Sequence, residues 1–280
     1  MAKGLPVIRR RLSSIRATKK VAKAMQMIAT NKLKNWRNSM LEGRQYTLEL
    51  FDLLQRQMKH EDLMDLSYYQ EPASEGILYI VVTSNLGLCG SYNANVLSYL
   101  AKQMTAKDGL FIIGEKGLKM LKANDIQAEE AYVRTHVSDD DSIKNLAHVI
   151  QETFNQKQFK KIQLVYTKYL NSLMNEVRTI TLLPLTAPVH VEPLKFEDQP
   201  LIEPSPKEVL LELIPFYLTN ALHGLLMDAQ VAEQSSRRNA MEKASDNADE
   251  LIDKLQLEFN KMRQANITQE IAEIIGGSQS

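Results

Sequence analysis

The chain has 280 residues, of which 44% are hydrophobic and 24% charged, with no formal net charge. This composition is typical of one large globular domain or two ordinary ones. The longest apolar run, at 77–82, is far shorter than the ~20 residues of a membrane span, and no segment near Met1 resembles a signal peptide. A single cysteine, Cys89, excludes an internal disulfide and leaves too few thiols for a zinc site.

The first 45 residues combine positive charge with helical periodicity. They contain twelve Lys or Arg and one acidic residue, Glu42, which gives a net charge of +11. Apolar residues recur at steps of three and four, which predicts an amphipathic helix from about Pro6 to His60. The predicted stripe consists of Ile8, Leu12, Ile15, Ala22, Met25, Ala29, Leu33, Trp36 and Met40.

Short aliphatic runs alternate with helical segments after Gly76. Strands are predicted at 76–85, 110–114, 126–135, 161–169 and 177–185, and helices at 92–105, 115–123 and 140–155. Asp140, Asp141 and Ser142 are expected to cap the last of these helices. Strands that alternate with helices indicate a mostly parallel, Rossmann-like α/β domain whose sheet is covered on both faces. Gly87–Gly90 predicts a tight turn with a buried thiol, because the chain has no GxxxxGK or GxGxxG motif.

The last quarter of the chain predicts a second long helix, from Ser205 to about Ile275. Its apolar stripe consists of Met241, Ala244, Ala248, Leu251, Leu255, Phe259 and Met262. A helix of about 70 residues would be roughly 105 Å long, which is typical of a coiled coil rather than a compact domain. From Pro206 onward the net charge is −5, so this helix is expected to pair antiparallel with the basic first helix through their stripes.

The predicted fold class is therefore α/β plus a long coiled coil, with the α/β domain inserted between two long antiparallel helices. The predicted segments are 1–62 for the first helix, 75–190 for the α/β domain, 191–206 for a proline-rich linker and 207–280 for the last helix.

Three stretches resemble the gamma subunit of F-type ATP synthase: KKVAKAMQMIATNKL at 19–33, VTSNLGLCGSYNANV at 82–96 and NKMRQANITQEIAEII at 260–275. They lie in the family's order, and the resemblance covers nearly the whole chain. It implies a non-catalytic central rotor stalk. In that family, proton flow turns the stalk and a membrane ring, and the turning stalk changes nucleotide affinities in the catalytic hexamer.

The resemblance also implies partners and contact residues. The partners are the alpha and beta subunits of the hexamer, the epsilon subunit and the membrane rotor ring, with no catalytic residue, metal, cofactor, nucleic acid or direct membrane insertion. The implied location is peripheral, on the cytoplasmic side of a bacterial inner membrane or the matrix side in an organelle. The implied contacts with the hexamer are Lys20, Lys23, Met25, Arg237, Arg263, Gln264, Thr268, Gln269 and Glu270.

Departures from the family pattern leave alternatives open. Asn85 and Leu86 replace a common Asp-Arg pair, Ser91 replaces a glycine, Glu242 replaces a lysine, and Asp249-Glu250 replaces a glycine pair. One alternative is a divergent rotor that is not used for ATP synthesis. The basic helix could also bind nucleic acid phosphates, although Trp36 is its only aromatic residue before Tyr46. A coiled-coil scaffold is a further alternative, and it predicts a stable homodimer.

Overall fold

The computed structural model describes residues 4–57, 67–124, 126, 128–132, 139–185 and 205–277. The helices are α1 (Gly4–Gln57), α2 (Tyr92–Ala101), α3 (Glu115–Lys122), α4 (Asp140–Asn155) and α5 (Pro206–Gly277), with a 3₁₀ turn at Ser67–Tyr69. The strands are β1 (Ile77–Val82), β2 (Gly109–Ile113), β3 (Glu130–Tyr132), β4 (Lys161–Tyr169) and β5 (Asn175–Leu183). The predicted fold class, α/β with two long terminal helices, is confirmed.

The chain divides into two compact units. The helical unit contains Met1–Asn31 and Arg237–Ser280, and the sheet unit contains Lys32–Ser236. α1 and α5 therefore each contribute one segment to each unit.

The five strands of the sheet unit are ordered β3-β2-β1-β4-β5. All neighbouring pairs are parallel except β4 and β5, which form an antiparallel hairpin. Side chains alternate between the faces along β1. Leu78, Ile80 and Val82 pack in a core with residues of α4 and α5, and Tyr79 and Val81 pack in a core with residues of α2 and α3. The sheet is thus mostly parallel and covered on both faces, as the sequence predicted.

The first part of α5 belongs to the core of the sheet unit. Within the described residues, one helix stretch, Lys207–Ala272, is long and apolar enough to cross a membrane by length and composition alone. Its apolar residues at four-residue steps are nevertheless almost fully buried in the protein core: Leu210, Ile214, Leu218, Leu222 and Leu226. Packing in the core of the sheet unit therefore explains why these five positions are apolar.

Several predicted boundaries differ from the structure. α2 ends at Ala101 rather than at residue 105, because the carboxylate of Asp108 accepts hydrogen bonds from the Thr105 N–H (2.7 Å) and hydroxyl (2.8 Å) in a turn. The cap of α4 is Asp139, one residue before the predicted group, and it accepts a hydrogen bond from the Ser142 N–H (3.4 Å).

Strand boundaries differ as well. β3 begins at 130 rather than at 126, and residues 127 and 133–135 of the predicted strand lie outside the described residues. β5 covers 175–183 rather than 177–185. The predicted end of the first helix at His60 and nearly all of the predicted linker, 191–204, lie outside the described residues.

Candidate functional site: the surface of the helical unit

A chain of contacts in the helical unit fixes the direction of the two helices. A Cβ added to Gly4 would lie 2.6 Å from the Met262 sulfur, so the backbone of α1 approaches α5 closely at this point. The guanidinium carbon of Arg9 lies 5.7 Å from the centre of the Phe259 ring. Further along α1, Lys19 forms an ion pair with Asp249. As the residue number increases along α1, the number of its contact partner on α5 decreases. The two segments are therefore antiparallel, as predicted.

A narrow apolar seam holds this pair together. Its buried residues include Ile8, Leu12, Ala22 and Ala29 on α1 and Met241 and Ala248 on α5. Burial of such side chains is the main source of stability in paired helices.

The sequence also predicted Met25 and Leu251 for this seam, and both predictions are wrong. Met25 is 37% exposed and Leu251 is 49% exposed. Each lies three residues after a buried alanine of the seam, and three residues turn a helix by about 300°. Both side chains therefore lie at the margin of the seam and are exposed to solvent.

A second apolar face lies on each helix outside the seam. The outer stripe of α1 consists of Val21, Met25 and Ile28, and the outer stripe of α5 consists of Ile267, Ile271 and Ile274. Both follow the i, i+4, i+7 spacing of one helix face, and all six side chains are at least 37% exposed. Because each set of apolar groups shares one exposed helix face, both stripes are candidate interaction surfaces. Of these six residues only Met25 was predicted as a contact residue from the sequence, although the helical spacing of all six is present there.

Cations lie beside the apolar surface of α1. Lys20 and Lys23 are exposed, and neither forms an ion pair with any residue that the structure describes. Lys20 also lines a groove of about 520 Å³ with Arg9, Arg16 and Phe259. Arg16 donates a hydrogen bond from Nη2 to Gln256 Oε1 across this groove (3.4 Å). This part of the helical unit therefore presents both apolar and positively charged groups to solvent.

The contact residues implied on the last helix fall into two groups. Arg263, Gln264, Thr268, Gln269 and Glu270 are exposed on the segment of α5 that also carries its outer stripe. Thr268 donates its hydroxyl to the Gln264 carbonyl (2.9 Å). Arg237 differs, because only 6% of its surface is exposed. It is buried, so it is not part of the exposed surface.

The Gly87–Gly90 turn of the sheet unit has a packing role. Leu88 and Gly90 adopt positive φ angles of 63° and 61°. Cys89 is 3% exposed, with its sulfur 3.6 Å from both Ser84 Oγ and Asn93 Nδ2. The predicted tight turn with a buried thiol is confirmed. Among the described residues, no three His, Cys, Asp or Glu side chains form a group that could hold a metal ion.

Comparison with known proteins identifies the family. A family model described as ATP synthase matches residues 4–280. The ATP synthase gamma chain of Mycoplasma mobile is 35% identical over 276 residues, which cover 96% of each chain. That of Heliobacterium modesticaldum is 33% identical over 286 residues, which cover 98% of each chain.

Solved structures share the fold. A chain of the Euglena gracilis mitochondrial ATP synthase, solved as an OSCP/F1/c-ring assembly, superposes with a TM-score of 0.70 at 19% identity, covering 100% of this chain and 95% of the other. A chain of the Tetrahymena thermophila central stalk and c-ring superposes with a TM-score of 0.60 at 21% identity, covering 80% and 99%. With matches to gamma chains over almost its full length, this chain belongs to the ATP synthase gamma chain family.

Proposed function

We propose that this chain is the central rotor stalk of a proton-driven rotary ATP synthase, which transmits torque between a membrane ring and the nucleotide sites of an alpha–beta hexamer. The observation that carries the proposal is the near-complete match to gamma chains, together with the two outer stripes that no described residue covers. The chain is the non-catalytic subunit. The scaffold and nucleic-acid alternatives are not favoured, because the relatives are gamma chains.

The outer stripes suit a surface that turns inside a partner. Apolar contact is non-directional, so it stabilises the partner at many rotational angles. Hydrogen bonds need aligned donors and acceptors and would favour one angle. Val21, Met25 and Ile28 therefore supply a sliding contact. Lys20 and Lys23 add an attraction for acidic segments of the beta subunits, and their long flexible stems let the charged ends follow the moving partner.

The polar residues of α5 supply angle-dependent contacts. Arg263, Gln264, Thr268, Gln269 and Glu270 carry donors and acceptors on an exposed helix surface, and we assign them to a loop of a beta subunit. Such directional bonds stop the stalk at defined angles between steps. Arg237 acts differently, since it is buried. We assign it a positioning role within its own helix rather than a contact with the hexamer.

The remaining partners follow from the family. The gamma chain is part of a membrane-associated complex. We assign the epsilon subunit and the membrane rotor ring to the sheet unit, and we place the complex on the cytoplasmic side of a bacterial inner membrane or its organellar equivalent.

One departure from the family pattern has a structural role: Asp249, where glycine is common, pairs with Lys19 in the helical unit. This departure therefore does not favour a different output.

Affinity purification tests the proposal. The tagged chain is purified from its native membranes, and the subunits that accompany it are identified by mass spectrometry while ATPase activity is measured. The expected result is a complex of alpha, beta, epsilon and ring subunits with ATPase activity. A hexamer without ring subunits would indicate a rotor that does not drive proton-coupled synthesis. A homodimer without ATPase subunits would contradict the proposal.

A further inference from the structure

α4 and the first part of α5 cover the same face of the sheet and leave a groove between them. Their buried residues belong to one core: Ile143, Leu146 and Ile150 of α4, and Leu210, Ile214 and Leu218 of α5. The groove lies on the solvent side of this core and has a volume of about 600 Å³. Its lining residues fall within 140–151 and 212–223, which is about three turns, or roughly 16 Å, of each helix. The groove is therefore elongated, and it is formed by the sheet unit alone.

The α5 side of the groove exposes apolar surface. Pro215 and Phe216 both line it, and Phe216 is 48% exposed. Leu211, which lies one helical turn before Pro215, is 40% exposed. Neighbouring apolar side chains that remain this exposed form a candidate interaction surface.

The polar groups beside this apolar surface are mainly hydrogen-bond acceptors. Pro215 has no N–H, so the Leu211 carbonyl lacks the donor that a helix normally supplies four residues later. Two side-chain donors of the groove are already used within the helix: Thr219 donates to the Pro215 carbonyl (2.9 Å), and Asn220 donates to the Phe216 carbonyl (2.7 Å). A partner that supplies donors, such as a lysine or arginine side chain, therefore suits this side of the groove.

The ionisable side chains give the groove a negative charge. Those that line it are Asp140, Lys144, His148, Glu212 and His223. Two further carboxylates contact them: Asp141 lies 4.0 Å from Lys144, and Glu152 lies 3.2 Å from His148. Four carboxylates and one lysine leave a net charge of −3 with neutral histidines, and of −1 when both histidines are protonated. The groove is negative in either state, which favours a positively charged partner.

We propose that the groove between α4 and α5 binds a basic amphipathic helix of another subunit in the synthase. The helix places an apolar side chain against Phe216 and a lysine or arginine side chain near Glu212 and the Leu211 carbonyl. Apolar contact provides affinity along the groove, and the acceptors provide specificity. Nucleic acid and an anionic membrane surface are not favoured as occupants, because both are negatively charged. The inference rests on the proposed function, which supplies the other subunits.

A photo-crosslinker in the groove identifies the occupant. The variant Phe216→p-benzoylphenylalanine is expressed as the full chain, purified in the complex and irradiated, and the crosslinked peptides are identified by mass spectrometry. The control is Lys122→p-benzoylphenylalanine, which is exposed on α3 at the opposite face of the sheet. The expected result is a crosslink from position 216, but not from 122, to a helix of another subunit that carries lysine or arginine. A crosslink from 216 to this chain, to lipid or to an acidic segment would overturn the inference.

Two substitutions test the charge requirement within the same groove. Glu212→Gln removes a carboxylate, and Lys144→Gln removes the one lysine of the lining; both side chains are exposed, so neither change should affect folding. The subunit identified by the crosslink should leave the immobilised complex about two- to fivefold faster in Glu212→Gln at low salt. This difference should shrink at high salt. Lys144→Gln should release that subunit no faster than the unchanged chain.

Unchanged release from Glu212→Gln would overturn the inference. Faster release from Lys144→Gln than from Glu212→Gln would also overturn it, because the occupant would then be acidic. A complex with ATPase activity but no crosslink from position 216 would overturn the inference and leave the proposed function standing. A crosslink to a basic helix in a complex without ATPase subunits would instead contradict the proposed function alone.

Discussion

The same helix meets two different environments along its length. In the sheet unit, α5 buries Leu210, Ile214 and Leu218 completely against the sheet. In the helical unit, α5 exposes Leu257, Ile271 and Ile274 by 52% to 72%. Apolar side chains are abundant in both segments, so composition does not distinguish them. What differs is whether this chain itself supplies a surface to cover them.

The difference separates residues that stabilise the fold from residues available to partners. Burying a large aliphatic side chain stabilises a fold or a complex by about 1.5–3 kcal/mol. In the sheet unit, other residues of the same chain bury these side chains. The side chains of the outer stripes in the helical unit are buried, and contribute this free energy, only when another subunit covers them. Substitutions in the first segment should therefore change folding, and substitutions in the second should change assembly and coupling.

The largest effect is expected in the buried segment. Leu222→Ala should lower the free energy of unfolding by about 2–5 kcal/mol, because a fully buried leucine leaves a cavity. The matched control is Leu257→Ala on the same helix, where 64% exposure predicts a change below about 0.5 kcal/mol. Urea denaturation of the full chain, followed by the fluorescence of its single tryptophan, Trp36, measures both. Equal losses in the two variants would show that the two segments of α5 do not differ in their contribution to folding.

Removing the end of the exposed segment should impair assembly instead. Deletion of 264–280 removes the outer stripe of α5 and most of its polar contact residues, so we expect weaker assembly with the hexamer or lower torque. Three isoleucines that each contribute about 1.5–3 kcal/mol when covered are lost. Sedimentation of the complex and single-molecule rotation measure the two effects, with deletion of 278–280 alone as the control. Unchanged assembly and torque would show that this end does not enter the hexamer.

A charge in the outer stripe of α1 should impair coupling more than hydrolysis. Met25→Lys adds a cation to an exposed position beside Lys23, where it can form an extra ion pair with an acidic segment of a beta subunit. Such a pair would hold the stalk at one angle. ATP synthesis and ATP-driven proton pumping should fall several-fold more than ATP hydrolysis, whereas Met25→Leu keeps the apolar surface. A proportional fall in all three activities would contradict this role.

Alkaline pH should weaken the sheet unit specifically. Burial raises the pKa of Tyr69 and of Tyr217 to about 12, above the ordinary value of 10. The unfolded chain loses these protons first, so the folded state loses stability as pH rises from about 10 to 12. The unfolding free energy should fall less between pH 8 and pH 11 in Tyr217→Phe than in the unchanged chain. An identical fall in both chains would exclude this tyrosine as a cause.

The smallest effect is expected at the ion pair of the helical unit. Lys19 and Asp249 are both partly exposed, so Asp249→Asn should cost less than about 0.5 kcal/mol, and the cost should disappear in high salt. Denaturation at low and high salt measures it, with Asp253→Asn on the same helix as the control. A loss above 1 kcal/mol would mean that charge, rather than the apolar seam, holds the two helices together.

The sequence predicted most of the fold because its periodicities are strong. Ile8, Leu12 and Ala22 were identified as buried from helical spacing alone, and the strands were found from aliphatic runs such as 77–82. The end of β5 could not be placed, because both sides of Pro184 are apolar.

The division of apolar residues between seam and surface was less predictable. Apolar residues that recur every three or four positions form a stripe along one face of a helix. This spacing is the same whether the stripe is buried in the seam or lies beside it on the surface. Met25 was therefore assigned to the seam as well as to a contact role, and Ile271 was missed. The burial of Arg237 was equally hidden, since a charged residue gives no periodic signal of burial.

A reversible crosslink between the outer stripe of α5 and the hexamer tests directly whether this chain rotates inside the hexamer. The single native thiol of this chain, Cys89, is buried, so a thiol introduced by Ile271→Cys is the accessible thiol of this chain and can be joined to an adjacent catalytic subunit through a cleavable linker. Crosslinking should stop ATP turnover, and cleavage of the linker should restore it. Turnover that continues at its full rate in the crosslinked complex would contradict a rotating stalk.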